Sequence, residues 1–134
     1  MNYKPVVSFT IIALMLVSIL SPVVTASVVY GPSRFNRTTG GPEAVQSNFS
    51  LSKTDGNFSL SIKNGDGIEN LSSSALIRLN GETVVKTNEL NQKVLLIKKN
   101  ISVQPVNQLE VEMRSIPGSY MTLHWSSVKP TSHP

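Results

Sequence analysis

Apolar and polar residues alternate along much of the chain beyond residue 26, and this period of two constrains the fold more than any other feature of the sequence. In "NQLEVEMRS", for example, Leu109, Val111 and Met113 are separated by single acidic residues. Successive side chains of a β-strand point to opposite faces, so the pattern predicts strands with one face in a core. The same spacing occurs at Ala75, Ile77 and Leu79, and again at Met121, Leu123 and Trp125.

Turn signals separate these strands. Asp55-Gly56 accepts the positive φ angles of a type I′ turn, and it predicts a hairpin in which Leu51 faces Leu60 and Phe49 faces Ile62. A second tight hairpin is predicted after Leu79, with either Asn80-Gly81 or Gly81-Glu82 as its central pair.

The number of strands predicts the fold class. The segment "KVLLIKK" is apolar on both faces, which predicts a strand in the middle of a sheet or between two layers. In total about eight or nine short strands are expected, separated by turn signals every 8 to 12 residues or so. We therefore expect an all-β domain, a single antiparallel β-sandwich spanning 27–128, followed by a polar tail at 129–134.

The first 26 residues have the pattern of a secretory signal peptide. Lys4 precedes an uncharged apolar run, Val6–Leu20, and Pro22 then breaks that run. Small residues follow, and they predict cleavage between Ala26 and Ser27. The segment is expected to be helical, and an uncleaved membrane anchor is the alternative. Either outcome places the domain outside the cytoplasm, secreted or in the cell envelope.

Composition excludes several classes of function. The chain has no cysteine, which excludes a disulfide framework, a thiolate metal site and a thiol nucleophile. Beyond residue 26 lie all eight acidic residues and eleven of the twelve basic ones, a formal charge of +3 that is scattered along the sequence. This distribution does not predict a nucleic-acid partner. Five Asn-x-Ser/Thr triplets also occur, at Asn36, Asn48, Asn57, Asn70 and Asn100, and whether they are glycosylated is left open.

Three segments carry a resemblance to a known group of modules. They are "YGPSRFNRTTGGP", "SSALIRLNG" and "LEVEMRSIPGSY", within residues 30–125. Together they resemble the jelly-roll sandwiches of galactose-binding-like and carbohydrate-binding modules, and more narrowly a small β-sandwich module that recurs in secreted and surface proteins of bacteria. The resemblance implies a jelly-roll-like fold and an interaction role, and it implies no reaction.

Catalytic and metal-binding groups are sparse. The two histidines, His124 and His133, do not predict a hydrolytic triad, and Glu110 and Glu112 form an exposed charge ladder in preference to an acid pair. No catalytic residue is therefore predicted, and the protein is not expected to be an enzyme. Oxygen ligands for calcium occur in the loop "NGDGIEN", at Asp66, Glu69 and Asn70, and less completely at Asp55 and Asn57. Turn chemistry explains both groups equally well, so calcium is a possible cofactor and no other is predicted.

Candidate ligand-binding residues lie outside the apolar strand faces. Tyr30, Phe35 and Tyr120 are the aromatic residues available to stack on a sugar ring. Arg37 is either a contact for an acidic partner or an internal partner of Glu43 or Glu112, and the latter is favoured.

The sequence thus favours an exported, non-catalytic cell-surface or extracellular module that binds a protein or a glycan through loops at one end of a β-sandwich. Two alternatives remain open. One is a structural envelope protein tethered by its N-terminal segment, and the other is an ancillary carbohydrate-binding subunit of a carbohydrate-active enzyme.

Overall fold

The computed structural model describes the backbone of residues 24–130 and the side chains of residues 27–128. The expected signal-peptide helix lies outside the described residues, as do the last four residues of the predicted tail. The first strand begins at Val24, three residues before the predicted start of the exported chain at Ser27.

Eight strands make up the described chain, which contains no helix. They are β1 (Val24–Asn36), β2 (Ala44–Ser50), β3 (Asn57–Asn64), β4 (Ala75–Leu79), β5 (Glu82–Val85), β6 (Leu96–Ile101), β7 (Val106–Met113) and β8 (Tyr120–Pro130).

The strands form two antiparallel four-stranded sheets. The front sheet has the order β1-β8-β3-β6, and the back sheet has the order β2-β7-β4-β5. The inner faces of both sheets contribute to one hydrophobic core, which includes Leu60 and Trp125 from the front and Ile77 and Leu109 from the back. The chain is therefore a β-sandwich, as the alternation and the number of strands predicted.

The alternation also identified the core-facing side chains correctly. Met121, Leu123 and Trp125 of β8 are fully buried, and the residues between them are partly exposed. The inward residues of β4 and β7 are likewise buried: Ala75, Ile77, Leu79, Leu109, Val111 and Met113.

The hairpin predicted around Asp55-Gly56 is wrong. β2 lies in the back sheet, where Phe49 is opposite Asn107, whereas β3 lies in the front sheet, where Leu60 is opposite Trp125. Only Gly56 of the turn pair has a positive φ, so no type I′ turn forms. The two strands turn their apolar faces to one core from opposite sheets, and the intervening residues 51–56 cross between the layers.

The second hairpin is confirmed. Asn80 and Gly81 have φ angles of 52° and 84°, as a type I′ turn requires, and Leu79 is opposite Glu82. Asn80-Gly81 is therefore the central pair of the turn.

The placement predicted for "KVLLIKK" is wrong. Its strand, β6, is the edge of the front sheet, where Ile97 is buried but Leu95 and Leu96 are exposed. The outer face of a sandwich sheet is not covered, so Leu96 on that face meets solvent, and Leu95 precedes the strand. Lys98 and Lys99 follow them, and lysines on an edge strand discourage further pairing.

Candidate functional site

The strand directions separate the connecting loops into two ends of the sandwich. The upper end contains four longer connections, at 37–43, 65–74, 86–95 and 114–119. The lower end contains the connections at 51–56, 80–81 and 102–105. Most of the residues singled out from the sequence lie at the upper end, including Arg37, Asp66, Asn70 and Tyr120. The structure therefore brings these candidates together, although they are far apart in sequence.

Two of the three candidate aromatic residues are structural. Phe35 is 8% exposed and belongs to the core, because β1 turns it inward, so its assignment as an exposed binding residue is wrong. The Tyr30 ring stacks on Phe49 at 4.5 Å and meets the edge of Trp125 at 6.2 Å. Its hydroxyl lies 3.2 Å from Ser47 Oγ, so Tyr30 joins β1 to β2 across the open side of the sandwich.

Tyr120 is partly exposed on the outer face of the front sheet. The Arg34 guanidinium carbon lies 3.5 Å from the centre of its ring, which is a cation–π contact. Arg34 Nε also donates to Asn36 Oδ1 at 2.9 Å. One face of the tyrosine ring is therefore covered by a cation and is not open to a sugar.

Arg37 holds loops together and does not form the predicted ion pair. Its guanidinium donates to the backbone carbonyls of Ser115 at 3.0 Å, Gly40 at 2.6 Å and Thr38. Glu112, one of the carboxylates expected to pair with it, instead accepts from Arg114 at 2.7 Å. The arginine therefore connects the 37–43 and 114–119 loops through carbonyl oxygens, which also accept charge-assisted hydrogen bonds.

The acidic loop at 65–70 is held by turn chemistry. Asp66 Oδ1 accepts from the backbone N–H groups of Ile68 and Glu69, and the hydrogen bonds from Glu69 and then Ile68 lower the pKa of the Asp66 carboxyl. Asn70 has a φ of 56°, and its carbonyl accepts from the Tyr120 N–H at 3.1 Å. Within residues 24–130, no group of three or more histidine, cysteine or acidic side chains is placed to hold a metal ion.

The acidic residues considered for catalysis are engaged in surface pairs. Glu110 lies 3.2 Å from Arg78, and Glu112 bonds Arg114. His124 lies opposite Ser61 on the outer face of the front sheet. No strand of that sheet contains an acidic residue that could orient the imidazole.

A buried asparagine holds the upper loops in place. The Asn64 side chain is fully buried, and its Nδ2 lies 3.0 Å from Ser72 O, 3.1 Å from Asn91 O and 3.0 Å from Val94 O. Its Oδ1 accepts from the Ser72 N–H at 2.7 Å. The sequence did contain a signal for this role, because Asn64 continues the inward positions of β3 after Leu60 and Ile62. An amide at a core position must find hydrogen-bond partners.

A second buried asparagine has the same role at the lower end. Asn107 continues the inward positions of β7, and its Oδ1 accepts from Gln104 N at 2.8 Å and from Asn80 Nδ2 at 3.0 Å. Its Nδ2 donates to Gln104 O at 2.6 Å. Asn80-Gly81 belongs to one of the segments that carry the resemblance noted in the sequence, and Asn80 and Asn107 both serve to fix loops.

The upper loops enclose a groove of about 370 Å³. Two of the most exposed large apolar side chains of the described chain stand in it, Ile68 at 84% and Ile116 at 65%. The other residues that line it are Glu69, Asn70, Leu71, Gln92, Pro117, Gly118 and Ser119. Ser119 is buried and donates through Oγ to Ile116 O at 2.8 Å, so the backbone beside Ile116 is fixed.

A larger groove, of about 690 Å³, lies at the lower end. It is lined by Gly56, by the polar residues Thr54, Asn57, Asn100 and Ser102, and by the apolar residues Phe58, Ile101, Val103 and Val128. The asparagines of all five Asn-x-Ser/Thr triplets are exposed, two of them, Asn57 and Asn100, in this groove. Glycosylation at these positions stays a prediction.

The fold and its loop ends define a β-sandwich with a preformed groove at the upper end. No protein-family model matches the sequence, and neither the curated proteins nor the solved structures compared with it give a match. Within residues 24–130 there is no helix long and apolar enough to cross a membrane.

Proposed function

We propose that this protein is an exported, non-catalytic interaction module that binds a protein partner through the groove at the upper end. The observation that carries this proposal is the exposure of Ile68 and Ile116 on two loops that line one groove. Large apolar side chains that gather around a concave site, with polar groups beside them, are typical of protein-binding sites.

The rigidity of the upper loops supports this site. Asn64 ties residues 72, 91 and 94 together, and Arg37 ties the 37–43 loop to the 114–119 loop. A groove whose walls are already ordered loses little conformational entropy when a partner binds. The aromatic residues available for sugar stacking are reduced to Tyr120, so a protein is the better-supported partner at this end.

The strand order supports the resemblance noted in the sequence. Eight strands in two sheets, with the orders β1-β8-β3-β6 and β2-β7-β4-β5, fit a jelly-roll arrangement and so support that part of the proposal. Loops gather at the ends of a sandwich, and loops on a rigid scaffold often carry the binding surface, and we extend that use to this chain by analogy. Export rests on the signal-peptide pattern in residues 1–26.

Site-specific crosslinking in the producing cells tests the proposal. A photoreactive amino acid at position 68 or 116 should capture the same partner, and one at Val106 should not. Val106 is a matched control because it is 66% exposed but lies at the lower end. With the purified partner, Ile116→Ser should weaken binding at least about tenfold, because burial of an isoleucine contributes roughly 1.5–3 kcal/mol. Equal capture at all three positions, or unchanged affinity of Ile116→Ser, contradicts the proposal.

A further inference from the structure

The two sheets of the sandwich differ in charge. The strands of the front sheet contain no acidic residue, and their basic residues are Arg34, Lys63, Lys98, Lys99 and Lys129. The strands of the back sheet contain three acidic residues and one basic residue: Glu82, Glu110, Glu112 and Arg78. The charges look scattered along the sequence, and the fold separates them onto opposite layers.

Three of the front-sheet cations lie on its outer face. Lys63 alternates with the buried Ile62, Lys98 with the buried Ile97, and Arg34 with the buried Phe35, so each points away from the core. Lys99 is on the inner side of its edge strand, where it pairs with Glu89. The cationic face is therefore defined by Arg34, Lys63 and Lys98.

The register places these cations in two adjacent rows. Arg34 and Lys63 flank Thr122 on either side of β8, and in the next row Ser61 stands between His124 and Lys98. Because neighbouring strands are about 4.8 Å apart, the backbones of Arg34 and Lys63 are roughly 10 Å apart. The cations of this face are therefore spaced rather than clustered.

Within residues 27–128, no carboxylate forms an ion pair with the cations of this face. The ion pairs within residues 27–128 are Arg78–Glu110, Lys99–Glu89 and Arg114–Glu112, and none includes Arg34, Lys63 or Lys98. Asp66, in the loop after β3, interacts electrostatically with Lys63, but its Oδ1 is bonded to its own loop. The three cations thus remain able to pair with an external anion.

Neutral hydrogen-bonding groups fill the space between the cations. They come from the outward positions of β3 and β8, and the partly exposed ones are Ser59, Thr122, His124 and Ser126. Ser61 has the same outward direction but is buried between its neighbours. Tyr120 adds one aromatic ring, which is stacked under Arg34. Hydroxyl and imidazole groups between spaced cations are complementary to a polymer that carries many hydroxyl groups and an acidic group at intervals.

We propose that the outer face of the front sheet binds an acidic polysaccharide, that is, a glycan chain bearing carboxylate, sulfate or phosphate groups. Nucleic acid fits the face less well, because a single-strand site uses several open aromatic rings and a charged groove. An anionic membrane fits less well because lipid recognition uses a denser cluster of about 4–8 basic residues. This site is separate from the upper groove of the proposed function and does not depend on it.

Binding of the full purified chain to defined polymers tests this inference. The probes are polygalacturonate, dextran sulfate, uncharged dextran, duplex DNA and vesicles containing anionic lipid. We expect saturable binding to one or both acidic polysaccharides, no binding to uncharged dextran, and a Kd that rises with salt concentration. Tighter binding to DNA or to vesicles than to either polysaccharide overturns the assignment, as does the absence of saturable binding to both acidic polysaccharides.

A matched pair of double variants separates a site from a general charge effect. Lys63→Gln with Lys98→Gln should weaken polysaccharide binding at least about tenfold and reduce its salt dependence. Lys53→Gln with Lys93→Gln removes the same charge from exposed loop positions and should leave the Kd within about twofold. Equal losses in the two double variants overturn the inference. Crosslinking from position 116 should be the same in the two double variants. Failure of the polysaccharide-binding proposal is therefore distinguishable from failure of the proposed protein-binding function.

Discussion

Replacing Asn64 with alanine should destabilise the domain by about 3–5 kcal/mol. The asparagine Nδ2 carries two hydrogens for its contacts with the carbonyls of Ser72, Asn91 and Val94, and Oδ1 accepts from the Ser72 N–H. Three full hydrogen bonds are therefore lost. Each costs roughly 1–1.5 kcal/mol, and more where a buried partner is left unpaired.

Urea unfolding measures this loss directly. With an m-value of roughly 2 kcal/mol/M, Asn64→Ala should lower the midpoint by about 2 M without changing m. A loss of about 3–5 kcal/mol is a large part of the roughly 5–15 kcal/mol by which domains are typically stable. A loss below about 1 kcal/mol would refute the assignment of Asn64 as the residue that holds the upper loops.

Asn64→Asp distinguishes the donor from the acceptor. The aspartate keeps an oxygen for the Ser72 N–H but turns a second oxygen toward the carbonyls of residues 72, 91 and 94. Burial and these carbonyls raise the pKa of the introduced carboxyl in the folded state. The variant should therefore be at least as unstable as Asn64→Ala at pH 7 and recover stability as the pH falls, because the protonated acid regains one donor. Wild-type stability of Asn64→Asp at pH 7 would show that the amide donor is not needed.

Three further predictions concern the loops and the N-terminal segment. Gly65→Ala should cost at least about 2 kcal/mol in urea unfolding, since a Cβ there would lie 2.3 Å from Glu69 O at a φ of 54°, whereas Gly41→Ala, in open space, should be neutral. The pKa of Glu89 is lowered in the folded state by its hydrogen bond from the Lys86 N–H and then by Lys99. The ionised Glu89 therefore adds to the free energy of unfolding above its unfolded pKa of about 4.3, and this stabilisation is lost as the pH falls through the lowered, folded-state pKa. Unfolding between pH 6 and pH 3 should therefore show a smaller acid loss for Glu89→Gln than for the native chain, and equal losses would contradict this. Mass spectrometry of the exported protein should give a mass beginning at Ser27, and an intact N-terminus would favour the membrane-tethered alternative.

The sequence by itself determined which side chains face the core. Leu109, Val111 and Met113 are inward, as their spacing predicted, because alternation depends only on the geometry of one strand. It also predicted a tight turn after Leu79, because Asn and Gly accept positive φ locally, but it left Asn80-Gly81 and Gly81-Glu82 open as the central pair, and the φ angles of the structure decided for Asn80-Gly81. The same alternation extends to Asn64 and Asn107, but Asn64 was assigned to the loop "NGDGIEN", whereas it is the last residue of β3, and the loops that the two asparagines bond were not predicted.

Only the tertiary structure decided which strands are neighbours. Phe49 and Leu60 have the pattern of a hairpin, yet they lie in opposite sheets, because a sandwich lets two strands bury their apolar faces against one another without pairing. The edge position of β6, the burial of Phe35 and the gathering of Arg34, Lys63 and Lys98 on one acid-free face follow from the same long-range choice. Side-chain alternation is set within a strand, whereas strand order is set by the packing of the whole core, and a local pattern carries no information about it.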